Sequence, residues 1–281
     1  MKILVTGPHG FLGSTLLLHL REQGYDTVPF EGDVRDQDAL ERACGACEPA
    51  WVIHTAAKID IAQCEKNPEE AHAVNVEGTR NVTDAAKRAG AGVVFISTTS
   101  VFFGMEGNYR EEDTPEPPNL YSKTKYEGEQ IVGAYEKGTI VRLTLFGAHP
   151  GGSRGKNFLE WVADSAKQNK DLNLFNDQYV NQLSNWTTAV CIQKIIELKQ
   201  HEPILHIGTS DVLSKADVGT MILKRFPEYS GTLNIKSIDS LADGIVRAKQ
   251  MWLNTDKASR LLMPMPSYAQ ELETIFGHPP F

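Results

Sequence analysis

Residues 1–24 read MKILVTGPHGFLGSTLLLHLREQG. The run KILVT (2–6) is short, apolar and bounded by glycine, the pattern of a buried strand. Residues 11–23 then place Leu12, Leu16, Leu17 and Leu20 on one face of a helix. Between the two, Gly7, Gly10 and Gly13 are spaced G-x-x-G-x-x-G. Strand, glycine turn and amphipathic helix, in that order, are the setting in which such a turn holds the pyrophosphate of a dinucleotide. Gly7 lets the chain turn tightly off the strand. Gly10 keeps a side chain out of the way of the phosphates, and Gly13 lets the helix lie close against the strand. The helix N-terminus adds free N–H donors and a positive dipole. His9, Phe11 and Leu12 share the turn and are assigned to the cofactor surface with the glycines.

Outward from that turn, short β-branched runs alternate with longer helical patterns. Strands are expected at 27–30, 51–54, 93–97 and 139–143, and helices at 36–43, 68–89 and 119–135. Such alternation builds βαβ units and a parallel sheet. Asn67 and Pro68 read as the N-cap and first position of one long helix. Residues 104–118 (GMEGNYREEDTPEPP) are loop by composition. After Gly147 the regularity breaks at the turn-rich HPGGSRGKN (149–157). Helices follow at 158–168, 187–199, 215–226 and 267–276, with short strands at 172–175 and 204–207. The expected class is α/β: a Rossmann-type doubly wound parallel sheet with a smaller, mixed C-terminal substrate lobe. The dinucleotide-binding domain is assigned 1–147 plus about 186–208, and the substrate lobe 148–185 and 209–281.

Composition narrows the function classes. The chain has 281 residues, 41% hydrophobic and 23% charged, which is ordinary globular usage and excludes a disordered or collagen-like chain. With 28 basic and 36 acidic residues the net charge is −8, so there is no basic footprint for nucleic acid. No long uncharged apolar run is present, so no membrane span is expected. The glycine turn also interrupts the N-terminal apolar stretch where a signal peptide would continue. Four cysteines (Cys44, Cys47, Cys64, Cys191) are too few for a disulfide scaffold and fit a reducing cytoplasm. The C-x-x-C at 44–47 has no second pair and no nearby histidine, so no metal site is expected.

Two constellations carry chemistry. Glu31 lies 18 residues past Gly13, near the end of the second strand, where an acid holds the adenosine ribose. Asp33 and Val34 follow and are assigned to the adenosine side. Glu31 would repel a 2′-phosphate, which favours NAD(H); Arg35 and His9 could offset that. For either acid the alternative is a solvated loop charge. The second constellation is YSKTK, which places Tyr121 and Lys125 four apart on one helix face. A phenol of pKa about 10 is a poor proton carrier at neutral pH. A nearby ammonium, with an oxidised nicotinamide, would stabilise its phenolate. His54, after the third strand, reads either as facing the cofactor or as a satisfied core histidine.

In order along the chain, TGPHGFLG, DVRD, VIHTAA, V-N-x-x-G-T (74–79), ISTTSVFFG and YSKTK resemble an extended short-chain dehydrogenase/reductase. C-E-x-x-P-E-x-A (64–71), Y-x-E-x-D-T-P (109–115), K-x-E-G-E-Q (125–130), NDQ (176–178) and L-N-T-D-K (253–257) make it similar to the dTDP-4-dehydrorhamnose reductase-like branch. The resemblance implies that Thr98 hydrogen-bonds the substrate's reacting oxygen. It implies that Tyr121 protonates that oxygen as hydride arrives, and that Lys125 binds the nicotinamide ribose and keeps the tyrosine's pKa low. It places Ala56, Ala57 and Lys58 along the cofactor, Leu145 beside the nicotinamide, and Asn75 as a fixer of nearby backbone. Thr99, Asn157 and Arg247 join Thr98 and Tyr121 as substrate contacts. The implied cofactor is NAD(P)H, with a lean toward NAD(H). The implied assembly is a homodimer through the 68–89 and 119–135 helices.

The chain departs from the branch in three places. Thr99 and Ser100 replace an Asp-Tyr pair, DQYVNQLSN lacks the Gly and Pro of D-Q-x-G-x-P-T, and Ala248 follows Arg247 where a proline is expected. The substrate is therefore read as a nucleotide-linked sugar or another polar ketone. Arg142, Lys156 and Arg247 are either phosphate contacts or ordinary surface charges. A reductase leads. An epimerase, or a non-catalytic NAD(P)-binding regulatory subunit, stands as the alternative.

Overall fold

The strand that precedes the glycine turn, β1 (Lys2–Thr6), lies inside a six-stranded parallel sheet. The computed structural model describes residues 1–151, 157–198, 201–241 and 248–278. Along β1 successive side chains alternate between two cores: Ile3 and Val5 face one, Leu4 the other. Both faces are thus buried, which is why the strand reads as a continuous apolar run. α1 (Phe11–Glu22) covers the first face, and β2 (Asp26–Phe30) returns beside β1. α2 (Gln37–Cys47) covers the second face, and β3 (Trp51–His54) pairs with the other side of β1. The chain has therefore switched direction across the sheet between β1 and β3. In such sheets the ligand crevice opens beyond the carboxyl ends of the strands at that switch.

The expected long helix at 68–89 is instead several pieces. α3 (Ile61–Lys66) precedes it, and α4 (Pro68–His72) is followed by one wide π-helical turn, Ala73–Glu77, before α5 (Gly78–Arg88). Asn67 holds the N-cap position of α4, but its amide turns back to Gln63 at the end of α3 and leaves α4 without a side-chain cap. The wide turn is held by partners from elsewhere in the fold. Asn75, in its middle, accepts from Lys58 N at 2.7 Å and donates to Lys58 O and Thr124 Oγ1, both at 3.0 Å. Gly78 then lies so close to Val34 that a Cβ there would meet Val34 Cγ2 at 2.6 Å. Such bulges insert one residue into a helix and gather at functional sites.

β4 (Gly92–Ile96), α6 (Leu120–Gly133) and β5 (Gly138–Arg142) complete the regular half. Beyond it come β6 (Leu145–Phe146), α7 (Phe158–Lys167), β7 (Leu172–Phe175), β8 (Tyr179–Val180) and β9 (Leu183–Ser184). α8 (Asn185–Glu197) then packs Ile192 and Ile195 into the α1 core, and β10 (Ile204–His206) adds a parallel strand to β5. The sheet order is β10-β5-β4-β3-β1-β2. The remaining elements are β11 (Leu213–Ser214), α9 (Lys215–Leu223), β12 (Leu233–Lys236), β13 (Gln250–Met251), α10 (Asp256–Leu261) and α11 (Tyr268–Phe276). β7 pairs with β12, and β8 with β11 and β13, in small mixed sheets. α7, α9 and α11 close over them around Leu159, Leu174, Ile222 and Leu272. Among the described residues no helix is long and apolar enough to cross a membrane.

Candidate active site

At the switch point Gly7 sits at φ +65°, and a Cβ there would be 2.9 Å from Ala56 N. A Cβ on Gly13 would lie 2.1 Å from Gly7 O. Both positions are closed to any side chain. Gly10 is different: a Cβ there meets only Gly7 O, at 3.2 Å, and its outer side is open. Gly10 is also the N-cap of α1, with no side chain capping the helix and no acid in its first turn. The first N–H groups of α1, at Phe11, Leu12 and Gly13, are thus left for a phosphate-sized anion. That cradle fits a dinucleotide pyrophosphate. The turn is pinned to β3 by Thr55 Oγ1, which donates to Thr6 O at 2.6 Å.

His54 belongs to the core. Its Nδ1 lies 2.7 Å from Thr6 Oγ1 and its Nε2 3.1 Å from Thr79 Oγ1. Burial, with Lys125 adding to it, pushes the ring down to about 3, so it is neutral.

The end of the crevice expected to face adenosine is wet. Glu31 follows β2 and meets His9 Nε2 at 2.5 Å, both side chains being exposed. Asp33 pairs with Arg35 at 2.5 Å, and that contact holds its carboxyl below the usual range. Val34 is buried beneath, its carbonyl accepting from Asn81. Ala56 and Ala57 follow β3 half-buried, and Lys58 Nζ is paired with Glu70 at 2.5 Å. Leu145 is half-buried on β6 beside Leu183.

At the other end of the crevice, Thr98 follows β4 in extended conformation and caps a tight turn, its Oγ1 accepting from Ser100 N at 3.1 Å. Asn119 caps α6 by accepting from Ser122 N, which sets Tyr121 in the first turn and Lys125 one turn on. The Thr98 hydroxyl lies near enough to the Tyr121 phenol to favour its ionised form. Burial pushes the phenol up to about 12, against a smaller downward pull from Thr98. The expected depression by Lys125 is not seen, since Lys125 is not among the groups that shift the phenol, and Tyr121 is protonated at neutral pH. Lys125 is buried with Nζ 3.9 Å from the centroid of Phe95. Burial pulls its ammonium down to about 7, with Glu129 pulling it back.

The other predicted contacts divide. Thr99 is buried and accepts from Thr144 Oγ1 at 2.8 Å. Asn157 spends its oxygen on capping α7, accepting from Glu160 N at 3.1 Å. Arg142 is no surface phosphate contact: it is 2% exposed and forks onto Glu129. Lys156 and Arg247 lie outside the described residues. Sequence reasoning missed Glu129, Ser97 and Cys64. Glu129 continues the four-residue spacing of Tyr121 and Lys125, a signal that was available. Cys64, fully buried on α3, is close enough to act on the Tyr121 phenol.

The family model for the RmlD substrate binding domain matches residues 1–278. Spore coat polysaccharide biosynthesis protein SpsK of Bacillus subtilis is 32% identical over 229 residues, 79% of this chain and 78% of that one. Methionine adenosyltransferase 2 subunit beta of Bos taurus is 33% identical over 150 residues, 50% of this chain and 45% of that one. The solved structure of dTDP-4-dehydrorhamnose reductase from Bacillus anthracis in complex with NADP superposes with a TM-score of 0.89 at 28% identity, covering 98% of each chain.

Proposed function

The chain belongs to the RmlD substrate-binding domain family, and from that premise we propose that it is an NAD(P)-dependent reductase of a keto group on a nucleotide-linked sugar, with Tyr121 as proton donor. The observation that carries the reading is the placement of Thr98 beside Tyr121, with Lys125 one helical turn away, at the strand ends that also present the glycine cradle. The cofactor, when bound, supplies hydride to the carbonyl carbon. Thr98 and Tyr121 hold the carbonyl oxygen between two hydroxyls, which favours the charge that develops on it. Tyr121 then gives up its proton, a role that a phenol held near 12 is in the right state to start. The Lys125 ammonium stabilises the phenolate that remains.

The glycine turn with Phe11, Leu12, Ala56, Ala57, Lys58 and Leu145 would hold the cofactor, and Asn75 braces the segment that follows β3. Glu31 leans the choice toward NAD(H); His9 lies beside it, while Arg35 is paired with Asp33. Thr99, Asn157 and Arg247 are assigned to the substrate side. Residues 148–185 and 209–281 form the substrate lobe, and 1–147 with about 186–208 the dinucleotide domain. We assign a homodimer through the α5 and α6 faces; a monomer by sedimentation at micromolar concentration would remove it.

The test is loss of reduced nicotinamide absorbance with NADH and NADPH in parallel, against a dTDP-4-keto-6-deoxyhexose. Turnover is expected, falling at least about a thousandfold in Tyr121→Phe while the cofactor still binds. Cofactor binding with no turnover in either protein would move the reading to a regulatory subunit.

A further inference from the structure

Behind Thr98, Tyr121 and Lys125 lies a layer of buried charge that the chemistry above leaves unused. Glu129 is one turn beyond Lys125 on α6 and 3% exposed; Arg142 ends β5 and is 2% exposed. Arg142 Nε donates to Glu129 Oε1 at 2.9 Å and Nη2 to Oε2 at 2.7 Å, a two-pronged contact. Ser97 Oγ, next to Thr98, donates to the same Oε1 at 2.5 Å. One carboxylate thus ties together the strand end that carries Thr98, the neighbouring strand, and the helix that carries Tyr121 and Lys125. The remaining guanidinium nitrogen, Nη1, lies 3.3 Å from His206 Nε2, and His206 Nδ1 lies 3.0 Å from Tyr109 O. Burial and Arg142 hold that imidazole neutral, so with its proton on Nδ1 it accepts from Arg142 and donates to Tyr109.

A buried ion pair is an expensive fastener. Apolar side chains of the same volume would hold helix to sheet at least as well. Charge differs from packing in one respect: it acts on other charges, and strongly so away from water. The cation in question is Lys125, whose charged form Glu129 favours. The groups around it are Tyr121 and Glu129 from α6, neutral His54 from β3, the Phe95 ring from β4, and Arg142 of β5 beyond Glu129.

We propose that Glu129, oriented by Arg142 and Ser97, is a positioning residue that sustains the ammonium form of Lys125 beside Tyr121. The inference rests on the catalytic reading of Tyr121 and Lys125. Burial alone drives the lysine toward the neutral amine, and Glu129 is the opposing charge. Without that carboxylate the balance moves further toward the neutral amine, and the phenolate left on Tyr121 loses counter-charge.

The test uses the full chain. Glu129→Gln alone would strand the Arg142 charge and risk unfolding, so it is paired with Glu129→Gln/Arg142→Gln, whose two amides can still hydrogen-bond. Two readouts are taken: the pH profile of kcat, and the titration of the Lys125 ε-carbon by NMR in 13C-lysine-labelled protein, assigned with Lys125→Arg. The expected result is that both the alkaline limb of kcat and the NMR titration move to lower pH by about one unit or more, a tenfold loss of proton affinity, with little change in KM. A folded paired variant in which neither moves overturns the proposal. So does a wild-type Lys125 that titrates at about 5, as lysines buried without a partner do. If Tyr121→Phe keeps its turnover, the catalytic reading is what fails, and the NMR titration still judges the hold of Glu129 on Lys125.

Discussion

The two ends of the crevice handle charge in opposite ways. At the adenosine end, His9 with Glu31 and Asp33 with Arg35 lie in water. At the catalytic end, Glu129 and Arg142 are sealed between α6, β4 and β5, with every carboxylate oxygen engaged. Exposed pairs are screened and cost little to break, so the adenosine end can rearrange around whatever ribose it receives. The sealed pair cannot be exchanged for water. It ties the strand end that carries Thr98 to the helix that carries Tyr121. Recognition of a cofactor's far end and control of a proton thus make different demands on the same kind of residue.

Among single substitutions, the largest expected effect lies on the sealed side. Arg142→Leu leaves Glu129 without its partner in the interior and should cost about 3–5 kcal/mol in urea unfolding. A loss below about 1 kcal/mol would put the pair on the same footing as the exposed ones and erase the contrast. Acid should act next, and on the same side. His54 and His206 are held at about 3 by burial, whereas a free imidazole titrates near 6.5. Between those values the unfolded chain binds more protons than the folded one, so stability falls as the pH drops below about 6.5. Each ring contributes about 1.4 kcal/mol per pH unit in that window, readable as a falling Tm; a flat Tm from pH 6.5 to 4.5 would contradict it.

Gly13→Ala probes the ground between the two ends. Its methyl would stand 2.1 Å from Gly7 O, forcing the turn open, and a tenfold or greater loss of NAD(P)H affinity by calorimetry is expected, about 1.4 kcal/mol. The smallest effect belongs to the wet end. Glu31→Gln should leave stability within about 0.5 kcal/mol while raising the NADPH-to-NADH ratio of kcat/KM several-fold. An unchanged ratio would mean that Glu31 has no part in choosing the cofactor.

Local signals were legible and long-range partnerships were not. The glycine turn, the buried strands and the Tyr121–Lys125 spacing all sit within a few residues, and each can be read from its own neighbourhood. Arg142 could not be. A cation at the end of a strand looks like a surface charge until β4 and β10 are known to flank β5 and α6 to cover it. Residues 68–89 carry an unbroken helical pattern, and the wide turn inside it arises only because Asn75 reaches Lys58 and Thr124 across the fold. α3 had a local signature, Asp60 three residues before Gln63, with Asp60 accepting from Gln63 N at 2.8 Å. The stronger start signal at Pro68 masks it. Pocket residues after Gly147 were the least legible, since the small sheets there pair strands of two to four residues from distant parts of the chain.

The place of β10 in the sheet bears on how the protein is made. β1 to β5 have all left the ribosome once residue 142 has emerged, but β5 gains its outer neighbour only when Ile204–His206 arrives. In the interval β5 presents a bare row of N–H and C=O groups, an open template for another nascent chain. A ribosome that pauses in this stretch, or a gene cut after the fifth strand, would release a sheet with a sticky margin. Until residues 143–203 have been made, that margin stays open.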